Sequence, residues 1–220
     1  MRNKFFMVFV ACLGLSLLLP PLPEQASLTS VFRLTDEPAV ITRGTSGSVL
    51  TVNISFGDVE VEQWIQQLDK PYPLLFVDID WAKRFPETIR LIHEKNIPVG
   101  LLGNQGNAYE QNTSLFPQQL EQFETLFEVR PLWFRTVDEV FPQSLHTQLW
   151  EAEINALGSS IVWHGGDSPP IVEGEIISIP HHRGDHIVLT ELKKVYKGRT
   201  FTTIEDMLFK TTVKTKKIPN

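Results

Sequence analysis

The chain has 220 residues, 42% hydrophobic and 21% charged, the proportions of an ordinary globular protein with room for one domain or two small ones. Its net charge of −6 excludes a nucleic-acid binder, which needs a basic footprint to neutralise phosphates. Cys12 is the one cysteine and lies in the N-terminal apolar segment, which removes disulfides and thiol catalysis from the folded part.

Residues 1–22 read as a signal peptide or N-terminal membrane anchor. Arg2 and Lys4 form a positive end, Phe5 to Leu19 is an apolar run, and Pro20, Pro21 and Pro23 stop any helix. The run is short for a full span, and a cleavage after Ala26 would put Glu24 at the −3 position. As an anchor it would keep its positive end inside and the rest of the chain extracytoplasmic. Residues 23–48 carry Pro, Ser, Thr and Gly with little periodicity and read as a linker, with a short pairing segment around Val31 to Leu34.

The domain is expected over 49–209. Val49 to Ile54 is a strand covered on both faces, and Val61, Trp64, Ile65 and Leu68 form the apolar stripe of a following helix. Further strands are expected at 73–79, 99–102, 131–135, 160–164, 175–179 and 199–203. Helices are expected from about Asp80 to Lys95, over 114–127, over 142–157 with Gly158 as its C′ residue, over 189–195, and from Thr203 onward. Residues 103–107 read as a polar glycine-rich loop. Strands alternating with helices point to a parallel α/β barrel-like domain. Chemistry in such folds gathers at the carboxyl ends of the strands, where Asp58 lies; its local reading is the N-cap of the helix that follows.

Three stretches carry a resemblance: NISFGD at 53–58, LLFVDIDWAKRFPETIRLIHEKNIPVGLLGN at 74–104 and LTELKKVYKGRTFTTIEDML at 189–208. Together they resemble the polysaccharide deacetylases (the NodB-homology domain, carbohydrate esterase family 4), in particular the Bacillus-type cell-wall and sporulation branch. The resemblance covers Val49 to Phe209 and implies a distorted (β/α)7 barrel. In active members a divalent metal, usually zinc, is held by one Asp and two His and activates water, a second Asp is the base and a late His the acid. Carried onto this chain, the base position is Gly57, the metal Asp is Asp58, and the two metal histidines fall on Gln105 and Tyr109. The third motif reads Arg135, Thr136, Val137, and the last reads Ile179, Pro180 with His181 one step late.

One carboxylate and a glutamine make a poor zinc site. The resemblance therefore implies a fold retained and a chemistry lost, with no cofactor unless an altered site holds a divalent metal such as zinc. Candidate catalytic residues are Asp58, Arg135 and His181. Candidate metal ligands are Asp58, His181, His182 and His186, close in sequence to Asp185 and joined by His164; Gly184 breaks any helix between the histidines, and Asp185 is expected to cap the next one. Candidate substrate-binding residues are Trp81, Gln105, Tyr109, Trp133 and Trp163, the tryptophans as stacking platforms or as core. Asp80 is expected to cap the helix at Trp81, with Asp78 facing a water network at the barrel mouth. The tail 210–220, with Lys210, Lys214, Lys216 and Lys217, reads as a solvated terminus. Two functions follow: a tethered module that binds cell-wall glycan or a protein partner in the old substrate groove, or a working N-acetyl hydrolase of peptidoglycan or a chitin-like polymer with an altered metal site.

Overall fold

The computed structural model describes residues 34–209 apart from 36, 58, 187 and 188. The chain divides into two units, Met1–Arg33 and Leu34–Asn220, and the fold described is that of the second. The targeting segment, Val31 to Arg33, Asp58 and the basic tail from Lys210 lie outside the described residues.

The fold is built outward from β2 (Ser48–Ile54), whose seven residues are all buried. Such a strand needs partners on both edges and cover on both faces. Its edges are taken by β3 (Leu74–Asp78) and β8 (Glu175–His182), both parallel to it. β4 (Val99–Gly103), β5 (Trp133–Thr136), β6 (Asn155–Leu157) and β1 (Val40–Ile41) continue on the β3 side, and β7 (Ile161–Val162) lies beyond β8. All of these are parallel; a short antiparallel hairpin joins β9 (Asp185–His186) to β8. The sheet curls into a distorted (β/α)7 barrel of the deacetylase type, with β1 and β7 as its edges.

Helices cover the outside. α1 (Val59–Gln66) buries Val61 and Ile65, and Leu68 is buried just beyond it. Asp78 caps α2 (Ile79–Arg84), and Pro86 opens α3 (Pro86–Lys95), as a proline without an N–H can at a first turn. Lys95 Nζ then reaches back to the carbonyls of Ile65, Gln66 and Leu68, at 2.7 to 3.1 Å, and satisfies the open end of α1. α4 (Gly106–Gln111) follows β4, and α5 (Leu115–Phe127) buries Phe116, Leu120, Phe123 and Phe127, the stripe its spacing predicts. α6 (Gln143–Glu151), α7 (Lys193–Tyr196) and α8 (Ile204–Phe209) complete the set.

Strand alternation sorts the barrel interior into layers. Val49, Leu74, Phe76, Leu102, Trp133 and Ile176 form an apolar floor, plugged by Ile204 and Met207 of α8. Above it Thr51, Asn53, Arg135 and Ser178 form a buried polar belt. The outward residues of the same strands, among them Leu50, Val52, Ile54, Ile177 and Ile179, join the helix layer.

Several boundaries differ from expectation. The helix expected over 142–157 ends at Glu151, because Glu153 takes a left-handed φ of 58° and the N–H groups of Glu153 and Ile154 close the last turn on Trp150 and Leu149. Asn155–Leu157 then become β6, all three buried between β1 and β5. Gly158 follows a strand, not a helix, and donates to Ile41 O. The strand expected at 160–164 shortens to Ile161–Val162, and that at 199–203 reduces to a single bridge from Phe201 to Ser48. Val40 and Ile41, within the stretch that composition reads as linker, pair with Ala156 and Leu157. The loop expected at 103–107 turns into α4 from Gly106.

Candidate functional site

The carboxyl ends of the strands form the barrel mouth, and its side chains follow from strand parity. In β2, Val49, Thr51 and Asn53 face the interior, so Ser55 does also. In β8, Ile176 and Ser178 face inward, so His182 does and His181 does not. Ser55 and His182 meet accordingly, Oγ to Nδ1 at 2.6 Å. Burial pushes the His182 imidazole below its ordinary pKa, Asp185 pulls it back up, and neighbouring His181 lowers it further. A neutral ring lets Nδ1 accept from the serine hydroxyl. Its other nitrogen, Nε2, is buried and has no hydrogen-bond partner among the described residues.

His181 is fully buried on the helix side, its ring 6.2 Å from that of Phe56. Position 57 abuts it. Gly57 has a φ of 89°, and a Cβ there would stand 2.7 Å from Val61 Cγ2 and 2.9 Å from His181 Nε2. Only glycine meets both demands without strain. His182 and His186 do not align on a helix; they lie on the two arms of the hairpin, where His182 pairs with Asp185 and His181 with His186. Asp185 is therefore no helix cap, and its exposed carboxylate lies within hydrogen-bond distance of His164, 3.0 Å from Nδ1.

Arg135 lies below the mouth, fully buried. Its guanidinium donates to the carbonyls of Leu157 and Gly158 and to Thr51 Oγ1, Asn53 Oδ1 and Ser178 Oγ, at 2.7 to 3.2 Å. It also stacks 4.4 Å from the Phe76 ring. Burial lowers its pKa to about 10, and the Glu139 carboxylate, 3.7 Å from Nε, opposes that shift. With five protein acceptors around it and no exposed surface, Arg135 holds strands together.

Asp78, not Asp80, caps the helix at Trp81: its Oδ1 accepts from Trp81 N at 2.8 Å. Burial is the main cause raising its pKa, countered by that N–H and reinforced by Asp80. Of the two readings open for the three tryptophans, stacking platform or core, the structure shows core. Trp81 has no exposed surface and donates to Gly57 O, Trp133 donates to Glu205 Oε1, and Trp163 donates to Asp167 O. Gln105 is exposed as the cap residue of α4. Tyr109 is buried; its hydroxyl accepts from Asn104 N at 2.8 Å and donates to Gln119 Oε1 at 2.6 Å, and burial raises its pKa.

Zinc is the metal the resemblance implies, and the described residues at its positions do not fit it. Gln105 offers a neutral amide, and Tyr109 is a phenol held protonated with its oxygen engaged by Asn104 and Gln119. Among the described residues no three His, Cys, Asp or Glu side chains converge on one point. Residue patterns had not indicated the Ser55–His182 pair or the Asn104–Tyr109–Gln119 network. The alternation of Thr51, Asn53 and Ser55 along β2 was the available signal for the first; the second rests on a loop-to-helix turn with no periodic trace.

No family model matches the sequence, and no curated protein matches it by sequence. Solved structures do match by fold. A carbohydrate esterase family 4 pseudoenzyme from Bacillus anthracis has a TM-score of 0.63 at 14% identity, over 78% of this chain and 69% of that one. A peptidoglycan N-acetylglucosamine deacetylase solved with a bound hydroxamate-type ligand gives 0.64 at 15%, over 79% and 94%. The chitin deacetylase of the fungal pathogen Colletotrichum lindemuthianum gives 0.59 at 14%, over 81% and 95%. The chain thus has the fold of the family 4 polysaccharide deacetylases, at a distance that leaves activity to be argued from its own residues.

Proposed function

We propose that this protein is an extracytoplasmic, deacetylase-like module of the cell wall that has lost hydrolysis and instead binds glycan or a protein partner at its barrel mouth. The observation that carries this reading is Gly57. Where the family resemblance puts the general base, the left-handed backbone and the contacts with Val61 and His181 leave no room for a carboxylate. The neutral Gln105 and the engaged Tyr109 hydroxyl support the same reading. The apolar segment from Phe5 to Leu19 supports placement outside the cytoplasm.

The test has two arms on the full-length protein. Co-sedimentation with insoluble peptidoglycan and with chitin is expected to retain the protein, and zinc titration by calorimetry to give no saturable one-to-one site. Saturable zinc binding lost in Asp58→Ala would favour the second reading, an N-acetyl hydrolase with a rebuilt metal site using Asp58 and the histidines near 181–186.

A further inference from the structure

A groove runs between α1 and the closing segment 189–201, with a volume of 460 Å³. That lies within the roughly 300–1,000 Å³ of small-molecule sites. Leu68, Leu189 and Leu192, all buried, form its apolar floor. Trp64 and Phe201 are half-buried in its walls, and Tyr196, 39% exposed, packs 4.9 Å from Phe201. The groove opens beside Lys70 and Pro71, which precede β3, and beside Phe201, which bridges the first residue of β2. It therefore reaches the amino ends of the parallel strands, away from the mouth.

The chemistry of the rim narrows the ligand. The rim carries the carboxylates of Glu60 and Asp69 and the ammonium groups of Lys70 and Lys193, two charges of each sign. Arg199 adds nothing to it, since its guanidinium is buried against Glu175 at 2.7 Å. A phosphate-bearing or strongly anionic ligand would want a net positive rim, and a lipid chain would leave these polar groups unpaired. The Trp64 indole N–H, the Tyr196 hydroxyl and the Gln63 and Gln67 amides have no hydrogen-bond partner among the described residues. Aromatic faces beside unspent donors and acceptors suit a ring that is apolar on its faces and hydroxylated at its edge.

We infer that this groove is a second carbohydrate site, taking a neutral oligosaccharide with a pyranose face on Tyr196 and Trp64. It does not rest on the reading of the mouth. Calorimetry of the full-length protein with chitohexaose and with cellohexaose tests it, using Tyr196→Ala, Gln67→Ala and, as a control outside the groove lining, the exposed α5 variant Glu121→Ala. Tyr196→Ala is expected to weaken binding about five- to tenfold and Gln67→Ala about threefold, with Glu121→Ala unchanged and melting temperatures matched. Binding insensitive to both groove variants, or failure of both sugars to bind, would each overturn it. So would groove occupancy by an amphipathic peptide that neither sugar displaces.

Discussion

Ser55 and His182 stand directly opposite each other at the ends of adjacent parallel strands, 2.6 Å apart, and the imidazole is held below its ordinary pKa by burial. The unfolded chain therefore binds a proton more readily than the folded one in the range just below the ordinary histidine value of about 6.5. Stability is then expected to rise with pH through that range and to be reduced below it. Urea midpoints measured across it should show this slope, and His182→Gln should flatten it. An unchanged slope in the variant would place the titration elsewhere.

Gly57→Asp puts back the carboxylate that the family resemblance places there. It is expected to destabilise by about 1–3 kcal/mol through the left-handed backbone and the clash with Val61, and to yield no metal-dependent acetate release. Denaturant unfolding and an acetate assay check the two parts; a stable, active variant would show that position 57 accepts a base.

Arg199 and Glu175 form a fully buried pair, with Ser48 Oγ donating to the same carboxylate and the guanidinium holding the carbonyls of Pro169 and Pro170. Arg199→Met leaves a buried carboxylate without its cation and is expected to cost about 3–5 kcal/mol. Chemical denaturation measures this, and a loss under 1 kcal/mol would mean that Glu175 is neutral or solvated in the folded state.

Trp81→Ala is expected to cost about 3–5 kcal/mol as a core cavity, and Trp81→Phe to recover most of it, with glycan retention unchanged in both folded variants. Selective loss of retention in Trp81→Phe would return Trp81 to the ligand.

Much of the fold was legible because its inner strands obey simple periods. β2, β3, β4 and β8 are short apolar runs bounded by breakers, and α5 shows its buried stripe at Phe116, Leu120, Phe123 and Phe127. β6 was not legible, because Ala152 and Ala156 continue the i, i+4, i+7 spacing of Leu145 and Leu149, and only the left-handed Glu153 and the pairing with β1 and β5 break the helix. The site was less legible for a related reason. His181 and His182 differ by one residue, and strand alternation sends the first under α1 and the second to the mouth, a distinction that residue type does not carry. Trp81, Trp133 and Trp163 lie near strand ends as expected, but their indole N–H groups find protein acceptors and their rings are buried.

Acetate release tests the central claim most directly. The full-length protein would be given chito-oligosaccharide and peptidoglycan with Zn²⁺, Co²⁺ or Mn²⁺ in turn, beside Asp58→Ala. The account predicts no release above the metal-only background in any condition, from protein that is folded and retained on glycan. Metal-dependent release that disappears in Asp58→Ala would contradict it and make the protein a working deacetylase.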